Sequence, residues 1–253
     1  MSGALYVIGL GPGPEGWLTP EASEALERVT DIFGYGPYVA RIAPRAGLTI
    51  HASDNRVELD RARAALEAAA AGRLVGVVSG GDPGVFAMAA AVLEALEQGP
   101  SEWRGLELCV VPGVSAMQAA AARLGAPLGG DFCAISLSDN LKPWALIERR
   151  LIAASEGDFA LAIYNPASKA RPGQIHDAFR CLRAHRPAST PVVFARAVGR
   201  PDEAITLTTL AEADPGVADM STLVIVGAST TRLIARPGRR PYVLTPRSFE
   251  AAP

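Results

Sequence analysis

Short, unbroken apolar runs alternate along the chain with longer stretches in which Ala and Leu recur every three or four residues. The runs near 4–9, 48–52, 74–79 and 106–111 predict strands. Most are apolar at nearly every position, the pattern of strands covered on both faces. Between them, Thr19 is placed to cap a helix with Pro20 at its first position, and Ala22, Ala25, Leu26 and Val29 follow at helical spacing. "VELDRARAALEAAAAG" and "VFAMAAAVLEALEQG" predict helices closing at Gly72 and Gly99, and "SAMQAAAARLG" predicts another. Alternation of this kind predicts a mostly parallel sheet with helices on both faces.

Gly and Pro return together in "APLGGD", and the domain boundary is expected within 113–130, dividing the chain into 1–113 and 114–253. A second set of elements follows: strand 132–137, helix 143–154, strand 159–165, helix 174–184, and strands 191–197, 203–210 and 222–227. The later strands lack long helices between them, which predicts a mixed sheet with antiparallel pairs. The expected fold class is therefore α/β with two α/β domains, the first sheet mostly parallel and the second mixed.

Composition narrows the picture. Hydrophobic residues make up 49% of the chain and aromatics only 6%, so the core is expected to be built from Ala, Val, Leu and Ile. No stretch reaches the roughly 20 uncharged apolar residues of a membrane span. The opening "MSGALYVIGL" lacks the basic and apolar regions of a signal peptide. A cytoplasmic protein without a membrane partner is expected. Cys109, Cys133 and Cys181, and His51, His176 and His185, have no metal-ligand spacing, so neither a metal site nor a disulfide framework is expected. The net charge of −2 argues against nucleic acid as a partner. That charge is uneven: residues 1–125 are net −5 and residues 126–253 net +3, with Lys142 and Lys169 the only lysines. Two accounts are open, a codon bias toward Arg, or an anionic ligand met by the second half.

Three loops carry candidate chemistry. "LGPGPEG" follows the first strand, but a dinucleotide fingerprint needs a third glycine where Pro14 stands, and Pro12 and Pro14 have no N–H to offer a phosphate. No Gly-Lys-Ser/Thr follows, so a P-loop is excluded. A stiff loop poor in donors suits a flat, apolar or cationic ligand, and an ordinary tight turn is the alternative. "VVSGGDPGVFAM" turns through Gly80 and Gly81, where the absence of Cβ allows close approach. Asp82 sits just beyond that strand, either to bind hydroxyls or a cation, or to cap the following helix. "VVPGVSAMQAAA" repeats the design with Pro112, Gly113 and Ser115. All three follow strands of one expected parallel sheet, so they are expected to converge on one of its edges.

"VIGLGPGPEGWLT", "VVSGGDPGVF" and "VVPGVSAMQAAAARLGAPLGGDF" together resemble the tetrapyrrole methylases, the S-adenosylmethionine-dependent enzymes of the corrin pathway. The resemblance runs over about residues 4–249, through "ISLSDNLKPWALIERRL", "DFALAIYNPASKAR", "TPVVFARAVGR", "DMSTLVIVG" and "YVLTPRSF". Within the family, "SLSD" and "YNPASKAR" look like the branch that methylates C17 of precorrin-3B and contracts the ring. Methylases acting at C20, C11 or uroporphyrinogen-III C2/C7 are the alternatives, then diphthine synthase, and outside the family a nicotinamide-dependent reductase.

The resemblance implies two α/β domains with the active site in the cleft between them, and a homodimer. It implies S-adenosylmethionine as methyl donor and a polycarboxylate tetrapyrrole as substrate. It sets Pro12, Gly80, Gly81, Asp82, Val85, Ser115, Ala116, Asn165 and Val198 or Gly199 near the donor; Asn165 stands where relatives often carry Met. Ring contraction implies loss of a hydroxyl proton, for which Asp82 and Asp139 are candidate catalytic bases, as are the substrate's own carboxylates. Lys169, Arg171, Arg196 and Arg232 are candidates to hold the substrate's carboxylates.

Overall fold

Six consecutive buried residues, Ala4–Gly9, form β1. Its side chains divide by the two-residue period of a strand: Leu5 and Val7 enter one hydrophobic cluster, Ala4, Tyr6 and Ile8 another. The computed structural model describes residues 3–55, 57–168 and 170–248. The chain divides into two units between Ser115 and Ala116.

In the first unit β1 is followed by α1 (Pro20–Arg28), β2 (Asp31–Tyr35), α2 (Gly36–Val39), β3 (Thr49–Ser53), α3 (Glu58–Ala70), β4 (Leu74–Ser79), α4 (Met88–Gln98) and β5 (Glu107–Val111). The sheet order is β3-β2-β4-β1-β5, and every neighbouring pair is parallel. Helices α3 and α4 cover one face, through Ala62, Leu66, Met88 and Val92, and α1 covers the other, through Ala22 and Ala25. Thr19 caps α1 as expected, its Oγ1 accepting the Ala22 amide at 3.1 Å with Pro20 at the first helical position.

Two features depart from the sequence pattern. Strand β2 has no counterpart among the expected strands. Its first residue, Asp31, is fully buried and accepts from His51 Nε2 at 2.9 Å, Arg73 Nε at 2.6 Å and Thr30 Oγ1 at 2.9 Å. A buried carboxylate interrupts the hydropathy, and its partners come from distant positions. Helix α4 was expected from about Val85 but starts at Met88. The backbone at Phe86 is left-handed, φ +52°, which no helix permits.

The second unit contains α5 (Ala116–Leu124), β6 (Gly125–Ala126), β7 (Phe132–Ser136), α6 (Trp144–Glu156), β8 (Ala160–Tyr164), α7 (Gln174–His185), β9 (Pro191–Arg196), β10 (Ala204–Thr209), β11 (Thr222–Val226), β12 (Arg232–Arg236) and β13 (Arg239–Leu244). Its main sheet, in the order β10-β9-β11-β8-β7, is mixed: β7 and β8 are parallel and every other pair is antiparallel. Phe179, Ile147, Leu151 and Leu182 from α6 and α7 pack with Leu161, Ile163 and Phe194 of the strands. Arg186 is buried there and donates to the carbonyls of Ala154, Phe159 and Gly227 and to Ser155 Oγ. A second sheet, β12-β13-β6, was not expected. Strand β12 is exposed at four of its five residues, so it shows no apolar alternation.

The protein is thus α/β, with a parallel sheet in the first unit and mixed strands in the second. Among the described residues no helix is long and apolar enough to cross a membrane.

Candidate active site

The parallel sheet of the first unit brings the ends of β4, β1 and β5 side by side, and with them the three glycine loops. The loops touch through their backbones. A Cβ on Gly9 would lie 2.7 Å from the Gly113 nitrogen and 2.9 Å from the Gly81 oxygen; one on Gly113 would lie 2.5 Å from the Gly81 oxygen. The Leu10 amide donates to Ser79 O at 2.9 Å and the Gly11 amide to Gly81 O at 3.2 Å. Gly80 faces the Tyr38 ring, where a Cβ would be 2.7 Å from Cε1. The glycines at 9, 80 and 113 are therefore required by packing within the unit, and Gly81 by its left-handed backbone at φ +81°. Close approach of a ligand is not needed to explain them.

Asp82 binds two loops together. Its Oδ1 accepts the Gly84 amide at 2.8 Å and its Oδ2 the Gly113 amide at 3.0 Å. The helix-cap alternative is overturned, because α4 begins six residues later, at Met88, and its N-cap residue is Ala87. Arg41 was not singled out from the sequence. It donates to the carbonyls of Leu10, Gly11 and Gly13 at 2.7, 2.9 and 3.0 Å. The carbonyls of the proline-stiffened loop are thus met by a cation from beyond α2. Pro12 is buried, Val85 half-buried, and Ser115 buried at the end of this unit.

In the second unit β8 and β9 each run antiparallel to β11, and β7 runs parallel to β8. The carboxyl ends of β7, β8 and β9 therefore lie on one edge, which gathers Asp139, Asn165, Arg171, Arg196 and Val198. Asn165 turns the chain immediately after β8 with φ +52°, and its Nδ2 donates to Ser136 Oγ at 2.9 Å. Tyr164 Oη accepts the amide of Met117, one residue after the half-buried Ala116, at 3.0 Å. Asp139 Oδ2 accepts from Gln174 Nε2 at 3.0 Å, while its Oδ1 lies 3.9 Å from Arg171 Nε. Ser168 and Arg171 exchange backbone hydrogen bonds and close a tight turn between them. Lys169 lies outside the described residues. Beside the Ser168–Arg171 pair is a cavity of about 460 Å³ lined in part by Ala167, His176, Asp219 and Met220.

The four expected substrate cations are not equivalent. Arg196 donates to Asp219 Oδ2 and Asp202 Oδ2, both at 2.8 Å. Hydrogen bonding to Arg196 holds the Asp202 carboxyl below its usual range. Burial alone would push the Asp219 carboxyl up, but bonds from Arg196, Thr222 and Ser221 bring it below. Arg171 is largely covered, at 12% side-chain exposure, beside Asp139. Arg232 lies exposed on β12, apart from the strand ends that carry the others, with no ion pair among the described residues. Val198 is buried in the turn after β9, preceded by Ala197 at φ +50°. Burial raises the thiol pKa of Cys133 and of Cys181, which keeps both protonated.

The two sets of loops end on glycine, proline and small side chains, with carboxylates and amides held by neighbours. The family profile of the tetrapyrrole (corrin/porphyrin) methylases matches residues 4–214. The chain belongs to this family. Precorrin-3B C(17)-methyltransferase of Sinorhizobium sp is 57% identical to this methylase over 252 residues, covering 100% of this chain and 99% of that relative. The crystal structure of the methyltransferase CobJ matches it at a TM-score of 0.92 and 57% identity, covering 97% of this chain and 100% of that one. Uroporphyrin-III C-methyltransferase from Thermus thermophilus, solved with S-adenosylhomocysteine, shares the fold at a TM-score of 0.66 and 23% identity, covering 89% of this chain and 97% of that one.

Proposed function

We propose that this methylase transfers the methyl group of S-adenosylmethionine to C17 of precorrin-3B, with contraction of the macrocycle to precorrin-4. The observation that carries the proposal is 57% identity along the full chain with a protein of that activity by name. In the transfer, an electron pair of the ring carbon forms the new C–C bond. The methyl–sulfur bond breaks with its electrons kept by sulfur, and neutral S-adenosylhomocysteine leaves. The carbon belongs to an electron-rich, enamine-like system, so in-line positioning at about 3–3.5 Å supplies much of the rate.

The donor is assigned to Pro12, Gly80, Gly81, Asp82, Val85 and Ser115 of the first unit and Ala116, Asn165 and Val198 of the second. Convergence of loops 9–12, 80–82 and 113–115 on one sheet edge supports the first group, and the shared edge of β8 and β9 supports Asn165 and Val198. The prolines suit a sulfonium cation, which needs no cradle of amide donors. For the proton lost in ring contraction, Asp139 is the better candidate base. Both oxygens of Asp82 accept backbone amides, whereas among the described residues Asp139 Oδ1 has only Arg171 at 3.9 Å. A cytoplasmic homodimer that uses Lys169, Arg171 and Arg232 toward substrate carboxylates completes the proposal, with Arg196 left to Asp202 and Asp219.

Calorimetry with S-adenosylhomocysteine and with NAD(P) tests the donor assignment. Saturable binding of the first and none of the second is expected, and the reverse outcome refutes it. Light scattering at about 50 kDa for this 26.3 kDa chain tests the dimer.

A further inference from the structure

Four described residues other than glycine have left-handed backbone: Phe86, Asp158, Asn165 and Ala197. Asp158 closes helix α6, where its amide donates to Ser155 O and the next amide to Ala154 O, so helix termination explains it. Asn165 and Ala197 turn the chain directly after β8 and β9, and Asn tolerates this region well. Phe86 is the bulky member of the set, the residue class for which a positive φ is an outlier. The residue is 49% exposed, so burial of an aromatic does not account for the conformation.

The surroundings hold this backbone in place from both sides. Before it, Asp82 fixes Gly84 and Gly113, and the Val85 amide donates to Asp82 O. After it, the Met88 amide donates to Ser79 Oγ at 3.2 Å and the Ala89 amide to Pro83 O at 2.9 Å. The loop already contains Gly80, Gly81 and Gly84, yet the left-handed position at 86 is filled by an aromatic that stands half in solvent. Strain kept in this way, at a loop assigned to the methyl donor, points to a ligand contact.

We propose that Phe86 is a substrate-contacting residue that lays its ring against the tetrapyrrole macrocycle and sets affinity for it, without contacting the methyl donor. The inference rests on the tetrapyrrole methylase function proposed above. The macrocycle is broad, conjugated and apolar on its faces, with carboxylates at its rim. An exposed phenyl group offers it offset or edge-on contact without competing for those carboxylates.

The test reads tetrapyrrole binding apart from catalysis. Wild type, Phe86→Gly and Phe86→Tyr are titrated with uroporphyrin III, followed by its fluorescence, and with S-adenosylhomocysteine by calorimetry. Thermal unfolding of each is recorded. Phe86→Gly relieves the left-handed strain, so its melting temperature is expected to stay level or rise. Its affinity for uroporphyrin is expected to fall about tenfold or more, with donor affinity unchanged and Phe86→Tyr restoring tetrapyrrole binding. The proposal is overturned if uroporphyrin affinity is unchanged in Phe86→Gly, if both ligands weaken together as the protein loses stability, or if wild type binds no uroporphyrin. Transfer of methyl to a carbon other than C17 would refute the functional proposal and leave this binding result to stand or fall separately.

Discussion

The Asp82 carboxylate accepts the amide of Gly113 at 3.0 Å, joining loops that are 31 residues apart in the chain. Its other oxygen closes its own turn through Gly84 at 2.8 Å. Asp82, assigned above to the donor, is therefore also a tie between two loops of the proposed donor site. Replacing it by Ala is expected to cost about 1.5–3 kcal/mol of stability, the range for a hydrogen bond to a charged group, and to weaken donor binding as the loops part. Asp82→Asn keeps one acceptor oxygen and is expected to fall between. Urea unfolding and calorimetry measure the two effects. Lost donor affinity with intact stability would mean that Asp82 acts on the donor directly.

The contact of Gly9 with Gly113 and Gly81 makes a second prediction. Gly9→Ala puts a methyl 2.7 Å from backbone, which is expected to destabilise by about 1–3 kcal/mol. Gly16 lies in the same sequence motif with nothing within 4 Å of its would-be Cβ. Gly16→Ala is expected to stay within about 0.5 kcal/mol of wild type. Equal melting temperatures for the two variants would show that the close approach is absent in solution.

How much of this was legible in the sequence follows from where the information sits. The runs that became β1, β4 and β5 are apolar on both faces, and the helices between them are regular, so periodicity alone exposes a parallel layer. Convergence of the glycine loops follows from that layer. What the loops hold does not. Glycine is needed at 9 and 113 because each meets the other and the Gly81 carbonyl, a requirement visible only when three strand ends lie side by side. Strand β2 was hidden because Asp31 is neutralised by Arg73 and hydrogen-bonded to His51, from 42 and 20 positions away. The β12–β13 hairpin was hidden because most of its residues face solvent. Arg196 looked available for substrate because Asp202 and Asp219 approach it only after the turn beyond β9 has formed.

Asp31 makes stability depend on acid. Burial raises its carboxyl pKa, but the hydrogen bonds from His51 and Thr30 and the charge of Arg73 outweigh this, and the folded value lies below the ordinary 3.8. A lowered folded pKa stabilises the native state fully above the unfolded value and loses that contribution as pH falls through the folded one. Asp31→Asn is expected to be less stable at neutral pH and to show a flatter acid limb than wild type. Melting temperatures across the acid range would reveal it. Parallel limbs for the two proteins would contradict the network.

The arginines are expected to separate by function. Arg196 is matched by two carboxylates, so Arg196→Gln is expected to lower the melting temperature and change the tetrapyrrole KM less than about twofold. Arg232 is exposed, and Arg232→Gln is expected to raise that KM about two- to fivefold, an effect that fades as salt rises. Steady-state kinetics at low and high ionic strength distinguish the two. A larger KM effect from Arg196 would mean that its acidic partners yield to the substrate.

The most direct test supplies the protein with S-adenosylmethionine carrying a ¹³C-labelled methyl group and with precorrin-3B, and locates the label in the product by NMR. The expected product carries one new labelled methyl at C17 of a contracted macrocycle, formed together with S-adenosylhomocysteine. A label at C11 or at any other carbon than C17, or no transfer to precorrin-3B, would contradict the assignment.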